Sequence, residues 1–135
     1  MRRNLICLLL VVVGLGIATA PALAGKSGGS GANTATIAFA NPGGSSATTA
    51  PSAGGTVYFA VTSKLAGRQL LVVTNRCWRN GAVVYNEYSQ VVNGLAGPFT
   101  INLDSPGPAT CEAFVWAYPT MTTPLSGGYM TYNLS

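Results

Sequence analysis

The chain has 135 residues, no histidine, seven basic and three acidic side chains, and 17 glycines. That inventory excludes histidine-based triads, histidine metal sites and Cys/His pairs. Two of the basic residues, Arg2 and Arg3, belong to the leader described next. Five scattered cations (Lys26, Lys64, Arg68, Arg76, Arg79) then face Glu87, Asp104 and Glu112, too weak a positive field to predict nucleic-acid binding.

Residues 1–24 read as a secretory leader. Arg2 and Arg3 precede an apolar run at 5–17, and Ala22-Leu23-Ala24 forms an A-x-A cleavage signal. The run is short for a membrane span of about 20 residues, so cleavage after Ala24 and no membrane span thereafter are expected. Cys7 leaves with the leader, and Cys77 and Cys111 remain as an even pair. Export to an extracellular or envelope location predicts that they form a disulfide. Closing an interval of 34 residues, it contributes on the order of 4 kcal/mol by chain entropy.

Residues 25–33 are Gly/Ser-rich and read as a flexible segment ahead of one domain at 34–135. The weakly alternating stretch 34–40 is expected to pair as an edge strand, which makes the polar stretch 41–54 a long loop. Strands follow at 55–62, 69–79, 82–89, 97–104, 109–118 and 128–134, separated by turn signals such as Asn80-Gly81 and Asn93-Gly94. No segment holds a 3.6-residue apolar period, so helix is nearly excluded. Seven short strands predict an all-β, antiparallel β-sandwich.

In strand count and spacing, residues 34–135 resemble an immunoglobulin-like or fibronectin-III-like domain. The resemblance is architectural. No cysteine lies on the second strand, Trp78 follows a cysteine on the third, and Ala109 stands where a tyrosine corner would be. In a sandwich of that order the third and sixth strands are antiparallel neighbours. Facing Cys77 with Cys111 then fixes a register in which paired numbers sum to 188, placing Arg76 opposite Glu112 and Val73 opposite Val115. The Asn80-Gly81 hairpin independently predicts Trp78 opposite Val83, Cys77 opposite Val84 and Arg76 opposite Tyr85.

Together these registers put Leu71, Val73, Cys77, Val84, Cys111, Ala113 and Val115 on one face. Arg76, Trp78, Val83, Tyr85, Glu112, Phe114, Trp116 and Tyr118 fall on the other. With the aliphatic face inside, the second becomes an exposed aromatic surface of the kind that contacts a partner. The inverse arrangement fills the core with aromatics at the cost of burying Arg76 and Glu112. The candidate binding face is Arg76, Trp78, Tyr85, Glu112, Phe114, Trp116 and Tyr118, and exposure would hold the stability cost of Trp116→Ala within about 1 kcal/mol.

Glu87 and Glu112 also fall together on this face, the one arrangement in which paired-carboxylate hydrolysis is conceivable, although Arg76 accounts for Glu112. No catalytic residue, metal ligand or cofactor is assigned. The leading expectation is a non-catalytic binding or adhesion module with a protein or glycan partner. Two alternatives stand beside it. In size, composition and export signal the chain resembles the small-molecule carriers of the neocarzinostatin type, whose two short-range disulfides it lacks. The other is an envelope component that self-associates.

Overall fold

The computed structural model describes residues 33–65, 67, 69–119 and 122–135. The leader, the cleavage site and positions 25–32 of the Gly/Ser-rich segment lie outside them. The described residues form seven strands: β1 (Thr34–Ala40), β2 (Thr56–Lys64), β3 (Leu70–Arg79), β4 (Ala82–Gln90), β5 (Leu95–Thr100), β6 (Ala109–Tyr118) and β7 (Tyr129–Leu134). They make two antiparallel sheets, ordered β1-β2-β5 and β4-β3-β6-β7, that enclose one core. Among the described residues no helix is long and apolar enough to cross a membrane.

Strand β1 pairs along its whole length with β2, from Thr34 opposite Lys64 to Ala40 opposite Tyr58. The polar stretch after it is therefore a loop, and it turns back at once: Ala47 N–H donates to the Phe39 carbonyl. The fifth strand departs from expectation, running 95–100 rather than 97–104. Asn93 and Gly94, both at positive φ, form a two-residue turn that lets pairing begin at Leu95. Beyond Thr100 the chain bonds to Gly54 and Gly55 instead of continuing the ladder. Phe99 and Ile101 still reach the core, as their alternation requires.

Cys77 and Cys111 are bonded across β3 and β6, and neither is exposed. The whole β3–β6 ladder keeps the register expected from them, from Leu70 opposite Tyr118 to Trp78 opposite Thr110. From the other sheet, Phe59, Phe99 and Ile101 fill the interior against Val73, Val115 and Leu134.

The β3–β4 hairpin corrects the second register. Its turn forms as expected, with Asn80 and Gly81 at positive φ and Trp78 opposite Val83. Val84 is then an extra residue, so Cys77 faces Tyr85 and Arg76 faces Asn86. An unbroken register would have set Asn86 opposite the buried Asn75, placing two amides side by side in the core. The bulge instead turns Tyr85 inward, only 8% exposed, and sends Asn86 out.

The core keeps a polar group that the sequence reading did not single out. Asn75 is fully buried, and its Oδ1 accepts a 2.8 Å hydrogen bond from the Tyr132 hydroxyl. Burial pushes the Tyr132 phenol up to about 12. Burial also raises Tyr85, whose hydroxyl donates to the Glu87 carboxylate. In the unfolded chain a tyrosine ionises near 10, so above that pH the unfolded state loses phenol protons first. Stability should hold to about pH 10 and fall steadily from there through pH 12, as thermal melts across that range will record. Tyr132→Phe should flatten part of that slope; an unchanged slope would remove Tyr132 as its source.

Candidate functional site

Alternation along the four-stranded sheet gives each strand one face to the core and one away from it. The outward residues line up in cross-strand rows. One row is Val83, Trp78, Thr110 and Asn133, and the next is Asn86, Arg76, Glu112 and Thr131. Then come Tyr88, Thr74, Phe114 and Tyr129, followed by Gln90, Val72 and Trp116, and finally Leu70 with Tyr118. The aliphatic face is the buried one, so the arrangement with the aromatics inside is not adopted.

The middle of this surface is held by a single cation. Arg76 Nη2 donates to Glu112 Oε1 at 2.7 Å, and Tyr129 donates to the other oxygen at 2.9 Å. The carboxylate therefore has a donor on each oxygen. Its bond to Tyr129 raises that phenol's pKa. The Arg76 guanidinium carbon lies 4.8 Å from the Trp78 ring centre and 5.4 Å from that of Phe114. Both distances suit cation–π attraction. Phe114 continues the chain of contacts, meeting Trp116 edge to face at 5.1 Å. The Trp116 indole N–H donates to Thr74 Oγ1 at 3.0 Å.

Of the seven expected face residues, six share this surface, and Tyr85 does not. Tyr85 lies on the core side, opposite Cys77, because of the Val84 bulge. Phe114 points outward but is only 5% exposed, closed over by Arg76 and Trp116. Trp78 and Trp116 are half-buried, and Tyr118 is exposed. Trp116 is thus more firmly held than a bare surface ring. Its hydrogen bond and aromatic contact raise the expected stability cost of Trp116→Ala to about 1–2 kcal/mol.

Tyr88 and Tyr129 belong to the face and were not foreseen. The signal for Tyr129 was present: with Met130, Tyr132 and Leu134 inward on the last strand, its neighbour must point out. Tyr88 is 78% exposed and takes the outward place that a straight hairpin would have denied it.

The bulge also separates the two glutamates. Glu87 stands opposite Asn75 on the core side of β4 and accepts the Tyr85 hydroxyl, while Glu112 is on the outer side. These two carboxylates do not share a face, and the paired-carboxylate geometry is not formed by them. Away from this sheet, an open groove of about 410 Å³ lies between β1, β2 and the 41–51 loop, bordered by Phe39, Asn41, Pro51 and Tyr58. Its lining carries no carboxylate, lysine or arginine. Comparison of the chain with family models, with curated proteins and with solved structures finds no match.

Proposed function

We propose that this chain is an exported, non-catalytic binding module whose working surface is the outer face of the β4-β3-β6-β7 sheet. The observation that carries this reading is the fixed chain of contacts Trp78, Arg76, Phe114, Trp116, running across four rows on a face turned away from the core. Fixed aromatics and an arginine are the usual anchors of recognition, because little side-chain entropy is left to lose on contact. Leu70, Val83, Tyr88, Tyr118 and Tyr129, each more than half exposed, extend the apolar area around that chain of contacts. The strand order, with three strands facing four, supports an immunoglobulin-like or fibronectin-III-like arrangement. The buried disulfide suits an oxidising compartment and so supports export.

The test is capture from native culture medium and from cell envelope, with the oxidised domain as bait, beside Trp116→Ala. The variant should remain folded and lose about 2 kcal/mol or more of partner binding. Capture that is equal for both proteins would remove the face from the proposal. A mass that rises with concentration in the wild type, and not in the variant, would assign the face to self-association. The carrier reading draws on the groove beside β1 and β2. It predicts a small molecule that co-purifies and is released on denaturation.

A further inference from the structure

We infer that the partner of this outer face is a neutral, linear, β-linked polysaccharide lying along β3 and β6. The inference rests on the binding-module reading and goes further by naming the ligand class. Three observations carry it. The first is spacing. Trp78 and Trp116 are three row steps apart, roughly 20 Å along the backbone, and their side chains lean together through Arg76 and Phe114, so that the two ring centres are at most about 15 Å apart. A ligand that uses both rings must be long and extended, as a β-linked chain of sugar rings is.

The second is charge. Arg76 and Glu112 cancel one another at the centre of the face, and the outward rows contain no other Lys, Arg, Asp or Glu. Nothing there selects an ionic ligand of either sign.

The third is the chemistry between the rings. The Arg76–Glu112 pair is part-exposed, 39% and 14%, and Arg76 Nη1 donates to no other described residue. A dry protein interface laid over this pair would strip water from the Glu112 carboxylate, and protein interfaces are depleted in glutamate although enriched in arginine. Sugar hydroxyls both donate and accept, so they replace that water one hydrogen bond at a time. The indole N–H of Trp116 is already committed to Thr74, and one approach to the Trp78 ring is taken by Arg76. What the rings still offer is apolar surface, the complement of the C–H face of a pyranose.

The experiment titrates the oxidised chain with cellohexaose, chitohexaose and laminarihexaose and with the corresponding disaccharides, read by calorimetry and tryptophan fluorescence. At least one hexasaccharide should bind, at least tenfold more tightly than its disaccharide, with an affinity indifferent to salt between low and physiological ionic strength. Trp78→Ala and Trp116→Ala, each confirmed folded by thermal melting, should each weaken it about tenfold or more. The inference is overturned if no hexasaccharide binds, if the disaccharide binds equally well, if salt abolishes binding, or if neither substitution weakens it. Trp116-dependent capture of a protein from medium, with no glycan binding, would overturn this inference and leave the binding module standing. Loss of both would remove both.

Discussion

Replacing Cys77 and Cys111 together by alanine should lower the unfolding free energy by about 4 kcal/mol. The bond closes 34 residues, and that interval contains the whole of β4 and β5. Without it the unfolded chain regains the freedom of that loop. The folded state also loses two sulfur atoms from the floor of the core, where Tyr85 and Tyr132 stand beside them on the neighbouring strands. A domain of about 100 residues holds roughly 5–15 kcal/mol in all, so this one linkage is a large share of it. The melting temperature should fall by roughly 15–30 °C, which calorimetry or urea unfolding will measure. Because neither cysteine is exposed, a reductant should cleave the native bond only as fast as the fold opens. A double variant within 1 kcal/mol of wild type would show that strand pairing alone holds β3 to β6.

The same bond explains why so much of this sheet was legible. A covalent link between two strands fixes their register outright, and Arg76 opposite Glu112 agreed with it from the side-chain chemistry. Every pair on that ladder then followed by counting. The β3–β4 hairpin lacked such a constraint. Its Asn80-Gly81 turn determined the first two pairs and nothing beyond, because one inserted residue reverses the side of every later position. Four positions turned on Val84: Tyr85 and Glu87, expected on the outer face, took the core side of the strand, where Glu87 stays exposed, and Asn86 and Tyr88 took the outer side. The warning sign was energetic rather than periodic, in that a straight register would have set Asn86 against Asn75 in the core. Phe114 shows a different limit. Parity gives the direction of a side chain, but not that an arginine on the next strand will lie over its ring.

Phe59→Ala should cost about 3–5 kcal/mol, more than the roughly 1–2 kcal/mol expected for Trp116→Ala. Phe59 is wholly buried and takes contacts from both sheets. Its ring lies 5.8 Å from Phe39 on β1, 5.5 Å from Phe99 on β5 and 6.2 Å from Tyr132 on the facing sheet. Removing it leaves a void bordered by three buried or half-buried rings, of which Phe39 and Tyr132 are held against each other and Tyr132 is also bonded to Asn75. Phe59→Leu, which retains much of the volume, should cost far less, on the order of 1–2 kcal/mol. The two alanine variants together locate the core from outside the structure. Both remove a large aromatic from a β-strand, and they differ in which side of the sandwich they empty. Urea unfolding of each, with the slope against denaturant checked for constancy, gives the comparison directly. If Trp116→Ala proved the costlier of the two, the packed side of β6 would be the aromatic one. The surface proposed for ligand would then be interior.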